Sequence, residues 1–270
     1  NFKVTNINLP LFYYRQHQNN FTRNQKRLLE TRAEIKAKHV KRRGLNSPNV
    51  LAILPVRGQA VDPRSLPLTQ LGNSKLIDWT LDAALNSKKV GDVIVSSPDV
   101  RVRDHVSNKY MNERILTCDR SQNISRINSP VEHSLLEALD SYCQNHAPPD
   151  LILILFIEAP FRTPLYIDKA INTIQLYDVD IVDGIKEEDD IFYYHNGHGL
   201  QPLKLNSGLR LERESLYRRA GGLHLMKRST FVEEQNMLKG KIGHIFLDPK
   251  AAFTIKSELD LKMAQFLALN

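Results

Sequence analysis

From residue 50 onward, short runs of continuous apolar residues alternate with longer segments of helical period, and few architectures accommodate that alternation. Val50–Pro55 (VLAILP), Asp92–Ser96 (DVIVS) and Leu151–Ile157 (LILILFI) are apolar along their length rather than at every second residue. That is the pattern of strands covered on both faces. Between and after them, Lys75–Leu85 sets Leu76, Ile77, Trp79, Thr80, Ala83 and Ala84 along one side of a helix. His133–Cys143, Asp168–Leu176 and Glu258–Leu269 read as helices too, and Asp180–Asp183 and Gly222–Met226 as further strands. Strands alternating with helices predict an α/β fold with a mainly parallel sheet between helical layers. In such sheets ligands bind outside the carboxyl ends of the strands.

The segment before residue 49 differs. Residues 1–48 hold eleven Lys/Arg against two Asp/Glu, and the remainder holds 26 against 28. The net charge of +7 therefore belongs to a basic arm, read as a solvated helix over Phe21–Val40 with Thr22 at its cap. Its narrow apolar stripe is Leu28, Leu29, Ile35 and Ala37, interrupted by Arg32. No aromatic interleaving accompanies the cations, so nucleic acid is not an expected partner. A breaker cluster, Arg42-Arg43-Gly44 and then Asn46-Ser47-Pro48, marks the domain boundary. Asn1 stands where a methionine would start a chain, so a piece of a longer polypeptide is expected. No run reaches the ~18 apolar residues of a membrane span. Cys118 and Cys143, outside any CxxC spacing, read as free thiols of a cytoplasmic protein.

Three segments carry candidate chemistry. The loop after the first strand, Val56–Arg64 (VRGQAVDPR), combines Arg57 and Arg64 with Gly58 and Gln59. Glycine lets backbone approach a ligand closely, and guanidinium groups bind phosphate oxygens in pairs. Glu158 and Arg162 follow the strongest strand, with Pro164 placed to open a helix. Arg210, Arg213, Arg218 and Arg219 cluster before Gly221-Gly222, a pattern suited to an anion. The Asn196-Gly197 pair marks a hairpin turn, and His195 and His198 beside it read as exposed turn residues. His224 either faces the crevice or fills the core, and His244 is placed just before the last strand.

Taken in order, ILPVRGQAV, LGNSKLIDWTLDAAL, VIVSSPD, LILFIEAPFR, YRRAGGLHLMKR and IKSELDLKMAQFL resemble the acylneuraminate cytidylyltransferases, which make CMP-sugars from CTP. The resemblance spans most of residues 49–270. It implies a three-layer nucleotidyltransferase (Rossmann-like) fold with a mixed sheet and a small excursion over Ile185–Leu209, through which the family commonly dimerises. It also implies CTP and an acidic, nonulosonic sugar as substrates, with magnesium at the triphosphate. By position, Arg57, Gly58, Gln59 and Ser96 would contact the nucleotide, and Arg57 and Arg64 would serve catalysis. Arg162, Arg213 and Gly222 would line the sugar site, and Glu158, Asp260 and Asp248 are the carboxylates available to a metal.

The chain departs from the family's pattern at four places. The first-loop lysine falls on Val61, the Lys-Asn pair after it on Leu66-Pro67, the Asp-Ile-Asp metal motif on Thr254-Ile255-Lys256, and the central-strand glutamine on Phe156. Hence a second reading stands beside the enzyme: a catalytically weakened nucleotide-sugar-binding or structural module. A third is a related transferase using another nucleotide or sugar. Leu11–Thr22 (LFYYRQHQNNFT) resembles the tail of family 2 glycosyltransferases, which implies an upstream sugar-transferring domain to which Arg15 and His17 would belong.

Overall fold

The computed structural model describes residues 25–126, 128–188, 190–203 and 216–269. The glycosyltransferase-like stretch Leu11–Thr22 and Arg213 lie outside the described residues. The chain begins with helix α1 (Gln25–Arg42), then β1 (Val50–Pro55), β2 (Gln70–Leu71), β3 (Ser74–Lys75) and α2 (Leu76–Leu85). It continues with β4 (Asp92–Ser97), α3 (Val100–Lys109), β5 (Ile115–Asp119), α4 (Val131–Cys143), β6 (Leu151–Leu155) and α5 (Pro164–Tyr177). The last third comprises β7 (Ile181–Glu188), β8 (Tyr193–His195), β9 (Leu200–Pro202), β10 (Leu216–Lys227), α6 (Arg228–Glu234), β11 (Ile242–Phe246) and α7 (Glu258–Ala268).

Seven strands form one sheet in the order β11-β7-β10-β6-β1-β4-β5. β10 runs antiparallel to β6 and β7, and the other pairs are parallel. The expected α/β three-layer architecture is present. Alternate residues of β1 show why a continuous apolar run is needed here. Val50, Ala52 and Leu54 pack under α2, α3 and α5, while Leu51 and Ile53 meet Leu135, Leu139 and Phe231 of α4 and α6.

Some expectations shift. α5 starts at Pro164, four residues before Asp168, because proline suits the first helical turn. β6 ends at Leu155, two residues early, as the chain turns toward the crevice. β10 extends from Gly222 back to Leu216 across an irregularity between Arg219 and His224. His244 lies inside β11, paired with Asp183, rather than before it. On α1 the buried residues are Leu29, Ala33 and Val40, whereas Ile35, assigned to the stripe, is half exposed. The face that meets α5 also carries Lys36, whose Nζ donates to Thr173 Oγ1 at 2.7 Å. The Asn196-Gly197 hairpin forms between β8 and β9, with Asn196 N donating to Gly199 O at 3.1 Å. No helix among the described residues is long and apolar enough to cross a membrane.

Candidate active site at the carboxyl ends of the parallel strands

Two adjoining cavities open where β1 and β6 end, and they share Phe156, Glu158 and Lys256. The first, about 450 Å³, is walled by Arg57, Asp62, Arg64, Ser65, Arg120, Glu158 and Lys256, and by Val131 and Ser134 from the first turn of α4. The loop after β1 folds back on itself here: Gly58 N donates to Ser65 Oγ at 3.2 Å, and Gly58 O accepts from Val61 N and Asp62 N. Gly58 has φ +77, and a Cβ there would overlap the Asp99 carboxylate. That carboxylate caps α3 and accepts from Ala60 N at 3.4 Å, fastening the loop to the neighbouring strand-helix unit.

Asp62 is buried and takes both donors of Arg64, at 3.1 and 3.3 Å, with Arg57 at 3.9 Å. The Arg64 hydrogen bonds come first among the causes that hold its carboxyl below the usual range. Arg120, directly after β5, is 4% exposed. It donates to Ser96 O at 2.7 Å and Ser96 Oγ at 3.2 Å. Burial, then repulsion from Arg57, lowers its pKa to about 10. Glu158 is open to solvent by surface area, yet crowding by the crevice walls pushes its carboxyl pKa upward, with Arg162 and Arg57 opposing. Because water still reaches the side chain, that push is smaller than full burial would give.

The second cavity, about 320 Å³, is lined by Arg218, Arg219, Gly222, His224, Thr254 and Lys256, among others. His224 is 1% exposed. Its Nδ1 lies 2.6 Å from Asp183 Oδ1, and its Nε2 is buried without a partner among the described residues. The carboxylate fixes the proton on Nδ1 and leaves Nε2 as an acceptor. Arg218 is held by Glu188 at 2.7 Å.

The sequence-derived candidates divide accordingly. Arg57, Arg64 and Glu158 come together in the first cavity and Gly222 lines the second. Gln59 is exposed on the loop, and Ser96, fully buried, bonds to Arg120 rather than lining the cavity. Arg162 is turned inward. It is 2% exposed, and it donates to Gly221 O, to Gly222 O at 3.0 Å and to Thr80 Oγ1 at 3.1 Å. It therefore ties the glycine pair of β10 to α2. Asp260 completes the capping box of α7, accepting from Lys256 N, Ser257 N and Ser257 Oγ. Asp248 faces Tyr166 at 2.5 Å and lines a separate, more apolar cavity of about 770 Å³ with Trp79 and Phe161.

Arg120, Lys256 and Asp183 were not among the residues assigned from sequence, and His224 was read as facing either the crevice or the core without its partner. Arg120 directly follows the short run ILTCD, whose Ile115, Leu116, Thr117 and Cys118 are the local signal that places it at a strand terminus.

Magnesium requires near-octahedral oxygen ligands. Among the described residues, no group of three or more His, Cys, Asp or Glu side chains is placed to hold a metal. The first cavity offers two carboxylates, and Asp62 is already engaged by arginines. The donor set does not fit a resident magnesium ion.

No family model matches the chain, and no curated protein does. Solved structures do match in fold. The 4-diphosphocytidyl-2C-methyl-D-erythritol synthase of Anaerococcus prevotii is 13% identical, with 83% of this chain and 97% of that one covered at a TM-score of 0.64. A CMP:2-keto-3-deoxy-manno-octonic acid synthetase complexed with CTP is 13% identical, with 82% and 98% covered at 0.59. The 2-C-methyl-D-erythritol 4-phosphate cytidylyltransferase of Thermus thermophilus is 15% identical, with 83% and 100% covered at 0.54. The chain shares the fold of these nucleotidyltransferases over most of its length.

Proposed function

We propose that the chain is a nucleotidyltransferase that moves CMP from CTP to an acidic sugar of the nonulosonic type. The observation that carries this reading is the pair of adjoining cavities, a cationic one and one with a buried acceptor nitrogen, joined at Glu158 and Lys256. In it, the triphosphate lies along Arg57, Arg64 and Arg120, and the sugar enters the second cavity beside Arg218, Arg219 and His224. A sugar hydroxyl oxygen bonds to the α-phosphorus, the bond from that phosphorus to the bridging oxygen breaks, and pyrophosphate leaves. His224 Nε2, oriented by Asp183, takes the hydroxyl's proton as the new bond forms, and the arginines meet the charge that builds on the leaving group. The named substrates of the structural neighbours, CTP among them, favour cytidine over other nucleotides. Homodimerisation is proposed at the β8–β9 hairpin, where Phe192, Tyr193, Tyr194 and Leu200 are exposed.

The test is calorimetry of CTP, UTP and GTP with the full chain, followed by pyrophosphate release with a panel of sugar acids. CTP bound in preference to the others, and pyrophosphate released with an acidic sugar, is the expected result. Binding without release under any sugar would leave a nucleotide-binding module, and no nucleotide binding would end the reading.

A further inference from the structure

The charges of the first cavity do not balance, and the imbalance has a consistent sign. Arg64 is neutralised by Asp62 through two hydrogen bonds. Arg57 touches the same carboxylate only at 3.9 Å and otherwise donates to Ser129 O at 3.5 Å. No ion pair among the described residues includes Arg120 or the Lys256 ammonium, and Glu158 is the one lining carboxylate left over. A buried guanidinium held only by a carbonyl and a hydroxyl is costly without an anion, and a second guanidinium beside it raises the cost. Among the described residues the cavity thus sets four cations, Arg57, Arg64, Arg120 and Lys256, against two lining carboxylates, Asp62 and Glu158.

Lys256 is also fixed in place. Ile255 N donates to Glu158 O at 2.8 Å and Lys256 N to Asp260 Oδ2 at 3.0 Å. The backbone on both sides of the ammonium is therefore anchored to the crevice wall and to α7. A divalent cation placed here would meet Arg57, Arg120 and Lys256 with a single carboxylate to hold it.

We propose that this cavity binds the polyphosphate of its nucleotide, and free pyrophosphate, without a divalent metal, with Arg57, Arg120 and Lys256 taking the phosphate charge. The inference rests on the transferase reading, and it adds to it that the chain's own cations do the work of neutralisation. Guanidinium and ammonium groups bind phosphate oxygens directly by charge-assisted hydrogen bonds. Complexation by magnesium removes charge from pyrophosphate, so the metal competes with the site rather than completing it.

The experiment is calorimetry of the full chain with inorganic pyrophosphate and with CTP, first in EDTA and then in excess magnesium. Both ligands are expected to bind in EDTA, with pyrophosphate binding weakened several-fold by magnesium. Lys256→Gln, at an exposed position whose replacement leaves the core intact, is expected to weaken pyrophosphate about tenfold. Lys250→Gln, at the separate apolar cavity, is the control and is expected to change nothing. Binding of both ligands only when magnesium is present would overturn the metal-free site and leave the transferase reading intact. Binding in EDTA that Lys256→Gln leaves unchanged would remove Lys256 from the site and overturn the assignment. Absence of binding under both conditions would end both readings together.

Discussion

Arg120 and Arg162 are both guanidinium groups taken out of water, and their surroundings give them opposite uses. Arg162 is enclosed by acceptors of its own chain, the carbonyls of Gly221, Gly222 and Phe156 and the hydroxyl of Thr80. Arg120 donates to one residue, Ser96, and faces the Arg57 guanidinium. Removing Arg162 takes the donor from the Gly221 carbonyl and a second donor from Gly222 O, beside two glycines that both have positive φ, +69 at Gly221 and +51 at Gly222. Arg162→Ala is therefore expected to cost about 3 kcal/mol or more, read as a fall in the urea midpoint. An unchanged midpoint would mean that the inward contacts are dispensable. The arginine itself was legible in the sequence as a cation at a strand end. Its glycine acceptors lie 59 and 60 residues further along the chain, so no local pattern could show that they would close over it. Arg57 and Glu158 were legible because each follows closely on the end of a strong strand, and Arg64 because it shares the loop of Arg57, where chain order alone fixes the crevice.

Elements were readable where their period was clean and obscured where two periods coincide. α3 begins Val-Arg-Val-Arg, an alternation that suggests a strand, yet only Val102 and Val106, one turn apart, are buried. β10 is interrupted by its glycine pair, so its first half reads as an arginine-rich loop until β7 is seen to pair with it. The α1–α5 contact shows a cost that the sequence also hides. Lys169 on α5 is 4% exposed, and its Nζ lies 3.4 Å from Phe246 O. Burial first, then Lys36 and Arg32 of α1, lower its pKa from 10.5 to about 8. Below about pH 8 both folded and unfolded chains hold this proton and the burial penalty is complete. Between about 8 and 10.5 the unfolded chain binds a proton that the folded chain does not, so this group's contribution to stability rises with pH. Lys169→Met is expected to stabilise the protein at pH 7 by roughly 1–3 kcal/mol, with the gain fading toward pH 10.5. Urea midpoints of the two proteins at pH 7 and pH 10 check this, and a gain that does not depend on pH would refute it.

At the scale of the whole molecule, the change of composition near residue 48 falls between α1 and β1, and α1 packs against α5. The chain leaves α1 at Arg42 and enters β1 at Val50, yet α1 returns its apolar face to α5 before that. Leu29, Ala33 and Val40 are each less than a tenth exposed. Arg43 donates to Leu176 O at 3.2 Å and Lys36 to Thr173. The basic arm thus covers a helix of the domain that follows it, and, after burial itself, its cations Lys36 and Arg32 depress Lys169. A chain cut to residues 49–270 would lose the burial of those side chains, worth about 1.5–3 kcal/mol for each large one, and would expose the α5 face they cover. The expected cost is roughly 5 kcal/mol at pH 7, a large share of the ~5–15 kcal/mol that holds a typical domain together. The cut also frees Lys169 from burial and from its like-charged neighbours. The full chain gains stability above about pH 8 as that lysine deprotonates, and the cut chain does not, so the difference between them should widen from pH 7 to pH 10. A residue 49–270 piece that unfolds at the same urea concentration as the full chain would instead make the arm an appendage.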